Sequence, residues 1–86
     1  MQAREELQKL IDNLATQRDE LVVRAHLAKL EAQEEWHELE GKLAQLRAKA
    51  GQAAEVAGDA AQDVAAAAKL LGEEIARGYE RLKRLI

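Results

Sequence analysis

The sequence has no cysteine, no proline, no phenylalanine and no serine, and each absence removes a class of structure or chemistry. Without cysteine there is neither a disulfide framework nor a thiolate nucleophile, and without serine the serine nucleophiles are excluded as well. Without proline, no ring-locked residue interrupts a helix. One tryptophan and one tyrosine supply all the aromatic area, so we expect no large aromatic ligand pocket and no enzyme activity.

Helix-forming residues make up most of the chain. Ala, Leu, Glu, Lys, Arg and Gln dominate, and these are the best helix formers. Acidic and basic residues spaced i,i+4, such as Glu38 and Lys42, support the same assignment. The composition is typical of a coiled coil or a long helix. We therefore predict an all-α fold built as a long helical coiled coil.

The charge pattern argues against a nucleic-acid surface. The net charge is −3, with both signs mixed along the chain, whereas such a surface needs a basic stripe that neutralises phosphates. The N-terminal segment carries charges where a secretory signal has its apolar region. No stretch approaches the roughly 20 apolar residues that cross a bilayer. We expect a cytoplasmic protein that binds no nucleic acid.

The apolar residues fall into two helical arms within a single coiled-coil domain, residues 1–86. In the first arm, residues 2–50, they recur at gaps of three and four, which places them on one helix face. From Ala32 to Leu71 the gaps alternate regularly, and this 3.5-residue period predicts a left-handed supercoil. The second arm, residues 59–86, is also amphipathic.

Between the arms lies an Ala- and Gly-rich segment, residues 51–59, where we predict either a break or close helix packing. Gly58 can take the left-handed conformation that often ends a helix, and Asp59 can cap the helix that follows. Gly51 is the second candidate for the break. With a break the chain forms an αα-hairpin, and without one it forms a near-continuous helix. Both alternatives stay open, and both are expected to assemble into a bundle.

The apolar line of both arms is the predicted seam through which the chain associates with copies of itself. A seam of this kind buries its residues only when helices pair. Glu40 lies off the line and is expected on the solvated surface. The seam consists of Leu7, Ile11, Leu14, Trp36, Leu39, Leu43, Leu46, Ala50, Ala53, Ala57, Val64, Leu71, Ile75 and Leu82.

Trp36 is the one large aromatic residue on the heptad. Its ring can anchor a partner helix, because aromatic residues often carry the binding energy at the centre of an interface. Alternatively, the ring fills space against small alanines of the chain's own second arm. We favour the second interpretation.

The two histidines do not match a metal site. His26 and His37 are eleven residues apart, ~16 Å along a helix, which is too far for one ion. Glu34 and His37 match the Glu-x-x-His element of di-iron bundles, but the second motif that such sites need is absent. We predict no catalytic residue, no cofactor and no metal ligand. A metal-binding helical bundle is the third functional alternative.

The end of the second arm suggests a membrane surface as the second alternative. Its apolar positions recur at eleven-residue spacing and its last turns are basic, a combination also found on helices that lie on lipid surfaces. The basic residues are Arg77, Arg81, Lys83 and Arg84. A peripheral lipid-binding protein would use this segment.

Two stretches of the chain resemble a known type of protein: LEGKLAQLRAKAGQAAEVAGDAAQD and LGEEIARGYERLKRLI. The arrangement resembles small, uncharacterised bacterial coiled-coil proteins, in which a charged heptad arm leads through an Ala/Gly/Asp-rich break to an amphipathic tail. The resemblance implies a helical coiled-coil fold and no particular activity. The residues themselves predict a non-enzymatic, homo-oligomeric scaffold or adaptor, whose partner is itself or another helical protein.

Overall fold

The computed structural model describes residues 2–56 and 58–86, with side chains from residue 5 onward. Over these residues the chain forms three helices, α1 (Gln2–His26), α2 (Leu30–Glu55) and α3 (Asp59–Leu85). The prediction of an all-α protein is confirmed, as is the break within residues 50–59. The first arm, however, is two helices and not one, so the near-continuous helix is wrong.

The helices form a narrow bundle of 45 × 17 × 15 Å. Helices α1 and α3 are parallel, because the start of α1 contacts an earlier part of α3 and the end of α1 contacts the residue that follows α3. Lys69 Nζ lies 2.9 Å from the Glu6 carboxylate, and the Arg24 guanidinium donates a hydrogen bond of 3.4 Å to the carbonyl of Ile86. Each short connection reverses the chain direction, so α2 is antiparallel to both neighbours.

The core is mostly aliphatic and runs the length of the bundle. Fully burying one large aliphatic side chain is worth roughly 1.5–3 kcal/mol relative to leaving it exposed. The buried apolar residues are Leu7, Leu14, Leu21, Ala25, Ala32, Trp36, Leu39, Leu43, Leu46, Ala53, Ala61, Ala65, Ala68, Ile75, Tyr79 and Leu82. Because two turns fold the chain into three helices, a single chain covers these residues by itself.

In the first half of α3 the buried line is one residue out of phase with the predicted heptad, whereas the predicted seam residues Ile75 and Leu82 in its second half are buried. The heptad continues the phase of α2 through Val64 and Leu71, and both are only half-buried at the edge of the core. The buried positions come one residue later, at Ala65 and Gly72. A heptad phase carries over only along an unbroken helix, and the connection between α2 and α3 interrupts it.

Gly58 allows the connection between α2 and α3. Its φ of 66° and ψ of −139° lie in a region that residues with a Cβ avoid. Gly58 is the N-cap of α3, and Asp59 is its first helical residue, so the predicted capping by the Asp59 side chain is wrong. At this position the Asp59 carboxylate instead favours the helix through the positive end of the helix dipole. Gly51 lies inside α2, where the helix does not break.

The connection between α1 and α2, residues 27–29, is a turn that the sequence does not predict. It contains neither glycine nor proline, and Lys29, the N-cap of α2, has an ordinary negative φ of −61°. The Gln33 amide holds the turn by donating hydrogen bonds to the carbonyl oxygens of His26 and Ala28, at 3.3 and 3.0 Å. Carbonyls at the end of a helix have no partner within that helix. A side chain of α2 therefore stabilises this turn, and typical turn residues do not.

Candidate interaction surface

The predicted seam residues lie within the single chain. Most are buried between its own helices, and Ile11, Ala50, Val64 and Leu71 are half-buried at the edge of the core. Ala57 lies outside the described residues. In this fold the seam is covered by the chain itself. Self-association stays a prediction, and a surface for it has to come from other residues.

Trp36 packs inside the bundle against both other helices. Its ring stacks on Tyr79 of α3, with the ring centroids 6.3 Å apart. The His26 ring meets it edge-on at 6.4 Å, and the Arg18 guanidinium lies 5.7 Å from the ring centroid, within reach of a cation–π interaction. The ring therefore fills internal space, which is the interpretation that we favoured from the sequence. It stacks on Tyr79 of α3, whereas we expected it to pack against alanines. Trp36 is not an exposed anchor for a partner.

A bidentate ion pair joins α1 to α2 beside this ring. Arg18 donates hydrogen bonds from Nε and Nη2 to the two carboxylate oxygens of Glu40, at 2.7 and 2.9 Å. Both side chains are half-buried, so the prediction that Glu40 is a solvated surface residue is wrong. The hydrogen bonds with Glu40 raise the pKa of Arg18 above its ordinary value. Two parallel charge-assisted bonds fix the orientation of both side chains and therefore the alignment of the two helices.

Other ion pairs also cross between helices where the sequence suggested pairs along one helix. Lys42 lies 2.6 Å from Glu74 of α3, whereas its i,i+4 neighbour Glu38 was the predicted partner. Hydrogen bonding with Glu74 raises the pKa of Lys42, and the same contact lowers the pKa of Glu74. Each of these exposed or half-exposed pairs contributes little stability. They do specify how far α3 is shifted along the neighbouring helices.

Tyr79 carries a buried polar atom without a partner. Among the described residues, its Oη and the Oε1 of Gln17 are buried and have no hydrogen-bond partner. Burial, together with the nearby Glu40 carboxylate, raises the pKa of Tyr79 to about 12. The phenol is therefore neutral near pH 7 and is not poised to exchange a proton. The cluster of Arg18, Trp36, Glu40 and Tyr79 joins residues of all three helices.

The described residues contain no cluster of metal ligands, and two small cavities lie between the helices. Within the described part of the chain, no three His, Cys, Asp or Glu side chains come together as possible metal ligands. One shallow cavity of ≈ 150 Å³ lies between α1 and α2 near Leu7 and Ala53. A second, of ≈ 210 Å³, lies between the start of α2 and the end of α3. Both are smaller than the roughly 300–1,000 Å³ of typical ligand pockets.

The apolar side of α3 faces the bundle. Ile75, Tyr79 and Leu82 are completely buried, so these residues reach a lipid surface only if the bundle opens. Of the basic residues at its end, Arg81 pairs with Glu35 of α2. Among the described helices, none combines the length and the apolar character that crossing a membrane requires.

Large aliphatic side chains are exposed together at one end of the bundle, where α1 ends, α2 begins and α3 ends. We call this surface the apolar end. Single exposed leucines are ordinary, whereas a group of them marks a candidate interaction surface. The residues of the apolar end, with their exposed fractions, are Val23 (64%), Leu27 (83%), Leu30 (69%) and Leu85 (43%).

None of these four residues belongs to the predicted seam. Leu27 and Leu30 lie outside the line of apolar residues that runs through Ala25, Ala28 and Ala32. Their position outside this line is the sequence feature that indicates their exposure. It does not show that they gather at one end. That grouping depends on the turn at residues 27–29, which brings α2 back along α1 and leaves both leucines at the tip.

Comparison of the chain with protein-family models, with curated proteins and with solved structures gave no match.

Proposed function

We propose that the protein is a non-enzymatic helical scaffold or adaptor that self-associates, and that the apolar end takes part in the contact. The observation that carries the proposal is the exposure of Val23, Leu27, Leu30 and Leu85 at one tip of the bundle, whereas the other exposed large apolar residues, Val56 and Leu70, lie away from that tip. Removing apolar surface from water is favourable by roughly 25 cal/mol per Å². Covering these four side chains therefore contributes favourably to association. A cytoplasmic location stays a prediction from the sequence.

A second copy of the chain is the simplest partner for this surface. In a two-fold contact the same patch serves both copies, so one apolar surface is sufficient. A different helical protein is the alternative partner. The oligomeric state of the purified chain distinguishes the two possibilities. A chain that binds only another protein stays monomeric when it is purified alone.

Sedimentation equilibrium at micromolar concentrations tests the proposal. We expect the wild-type chain to self-associate and the double variant Leu27→Gln/Leu30→Gln to associate at least about tenfold more weakly, because the loss of buried leucine surface exceeds the ~1.4 kcal/mol of one decade. Both leucines are exposed in the bundle, so the fold of each chain should persist, and circular dichroism checks that it does.

Leu70→Gln is the matched control. Leu70 is also a leucine on the surface, with 68% exposed, but it lies ~22 Å along α3 from Leu85. We expect this variant to associate as the wild type does. A wild-type chain that stays monomeric would contradict self-association. Equal weakening by Leu70→Gln and by the double variant would mean that the apolar end is not the surface involved.

A further inference from the structure

The outermost helix turns carry charge of opposite sign at the two ends of the bundle. At the apolar end, the last turns of α1 and α3, the first turn of α2 and the connection between α1 and α2 contain four basic residues and one acidic residue, Glu31. With histidine taken as neutral, their formal charge is therefore +3. The basic residues are Arg24, Lys29, Lys83 and Arg84. Of these, Lys83 also contacts Glu80, 3.2 Å away in the preceding turn.

The opposite end of the bundle, which we call the acidic end, comprises the first turns of α1 and α3, the last turn of α2 and the connection between α2 and α3. Its acidic residues are Glu5, Glu55 and Asp59, and all three are exposed. Arg4, whose side chain lies outside the described part of the chain, is the one basic residue in these turns, so their formal charge is −2. Acidic residues at helix starts and basic residues at helix ends stabilise helices through the helix dipole. Because two of the three helices start at the acidic end, the same distribution leaves the two ends oppositely charged.

The acidic end also offers apolar surface. The cavity of ≈ 150 Å³ between α1 and α2 lies at this end, because Ala53 and Ala54 of its lining belong to the last turn of α2. Leu7 and Ile11 line it from α1. Val56, the C-cap of α2, is 39% exposed at the same end. In proteins a cavity of about 150 Å³ with an aliphatic lining holds a benzene-sized apolar group, so this one has room for the end of a leucine side chain.

The charges decide between two ways in which the apolar end can meet a second copy. A two-fold contact between two apolar ends would bring two basic surfaces together, and like charges that face each other across an interface oppose binding. Contact with the acidic end of the next copy places basic side chains opposite acidic ones. It also gives the leucines of the apolar end, of which Leu27 is 83% exposed, an apolar cavity to enter. Both features favour the second arrangement.

We propose that copies of the chain associate head to tail, with the apolar end of one copy docked on the acidic end of the next. A leucine of the apolar end enters the cavity between α1 and α2, and Lys29 and Arg84 lie opposite Glu55 and Asp59. This inference rests on the proposed function, which names a second copy as the partner, and it identifies the surface of that copy. Because the two surfaces lie at opposite ends of a bundle 45 Å long, each contact leaves one of each free, and association continues beyond the dimer.

Two double variants, each with one surface blocked, test the proposal by complementation. Leu27→Gln/Leu30→Gln, the apolar-end variant, keeps the acidic end intact. Ala54→Lys/Glu55→Lys, the acidic-end variant, covers the cavity with a long side chain, reverses one charge and keeps the apolar end intact. Ala54 and Glu55 are exposed, and lysine is a good helix former that suits the end of a helix. The fold should therefore persist, which circular dichroism checks.

Sedimentation equilibrium of the variants, alone and mixed, gives the result. Each variant alone should associate at least about tenfold more weakly than the wild type, because it lacks one of the two surfaces. The equimolar mixture should form a heterodimer that does not grow further, since the intact apolar end of one variant meets the intact acidic end of the other. Glu38→Lys/Ala44→Lys is the matched control. It changes the charge by the same amount at exposed positions in the middle of α2, and it should associate as the wild type does.

The salt dependence of the wild type gives a second readout that requires no variant. Raising sodium chloride from ~0.01 to ~0.15 M shortens the Debye length from ~30 to ~8 Å. Association of oppositely charged ends should weaken over this range, whereas association of two basic ends would strengthen. At the lower salt concentration, the mean molar mass should keep rising with protein concentration beyond that of two chains.

The outcomes separate this proposal from the proposed function. A wild type that stops at the dimer, together with an acidic-end variant that dimerises equally well and a mixture without heterodimer, would establish the two-fold contact and overturn head-to-tail association. Self-association through the apolar end would then stand. A wild-type chain that is monomeric at every concentration would overturn both. If the acidic-end variant does not fold, the sign of the salt dependence and growth beyond the dimer decide.

Discussion

Leu39 of α2 packs directly against Gly78 of α3, in a space that a Cβ at position 78 would occupy. Such a Cβ would overlap with Leu39 Cδ2, and it would lie 3.3 Å from both Cδ1 and Cγ. Leu39 is buried among core side chains, so it has little room to move away. The absence of a side chain at position 78 therefore lets α2 and α3 approach closely at the Trp36–Tyr79 end of the core.

We expect Gly78→Ala to destabilise the bundle, although alanine is the better helix former. Overpacking a core costs about 1–3 kcal/mol. Replacing glycine by alanine gains about 1 kcal/mol in helix propensity, so the overpacking cost is the larger of the two over most of its range. Gly41→Ala is the control, because a Cβ at Gly41 meets no atom within 4 Å, and it should stabilise by roughly 0.5–1 kcal/mol. Urea unfolding followed by circular dichroism measures both. Stabilisation of equal size in the two variants would contradict the close packing at Gly78.

The Arg18–Glu40 pair should contribute more stability than an exposed pair. It is bidentate and half-buried, and charge-assisted bonds of this kind are about twice as strong as neutral ones. A double-mutant cycle with Arg18→Met and Glu40→Gln should give a coupling energy of ~1–2 kcal/mol. The same cycle on the exposed pair Glu6–Lys69 should give a smaller coupling energy, because solvent screens exposed charges. Equal coupling in the two cycles would refute this ranking.

The stability of the bundle should fall at high pH because of Tyr79. Burial raises the pKa of Tyr79 to about 12, above the ~10 of an unfolded chain, so the folded state favours the neutral ring. The contribution of Tyr79 is fully present below pH ~10 and is lost as the pH rises through about 12, by up to roughly 3 kcal/mol. Because the chain has one tyrosine, tyrosinate absorbance reports this group alone. The same titration in denaturant should have its midpoint near pH 10, and a native midpoint at that value would contradict burial of the ring.

Leu43→Ala should strongly destabilise the chain. Leu43 is buried in the heptad of α2, and truncation of a buried leucine costs ~2–5 kcal/mol. Leu70→Ala is the control, because Leu70 is exposed and the expected change is within about ±0.5 kcal/mol. Both variants replace leucine by the same strong helix former, so the difference measures burial. Thermal unfolding at matched concentration gives the comparison, and equal losses would mean that the phase assigned to α2 is wrong.

Gln33→Ala should weaken the turn between α1 and α2. The Gln33 amide donates to two carbonyls at the end of α1, and loss of a helix-capping side chain typically costs ~0.5–2 kcal/mol. Gln45→Ala is the control on the exposed side of the same helix. Amide hydrogen exchange near residues 27–33 should accelerate in the first variant only. Unchanged exchange there would mean that the amide does not hold the turn.

The local features of the helices could be predicted from the sequence. Helix-forming composition without proline determined the all-α class, and the regular heptad determined which residues of α2 are buried, including Leu39, Leu43 and Leu46. Gly58 was one of two candidates for a break, and the structure has the break there, with the positive φ that is accessible mainly to glycine. Each of these features depends on residues that are neighbours along the chain, and one sequence is sufficient to recognise them.

Only the tertiary structure decided how the helices meet. The turn at residues 27–29 is stabilised by Gln33 from the next helix, so the local residues, which favour a helix, do not reveal it. The same turn brings Arg18 opposite Glu40 and leaves Leu27 and Leu30 at an exposed end. The close approach of α2 and α3 likewise depends on Gly78, where a Cβ would overlap with the Leu39 side chain. These contacts join residues far apart in sequence, and their energies override local helix propensity, which amounts to less than about 1 kcal/mol per residue.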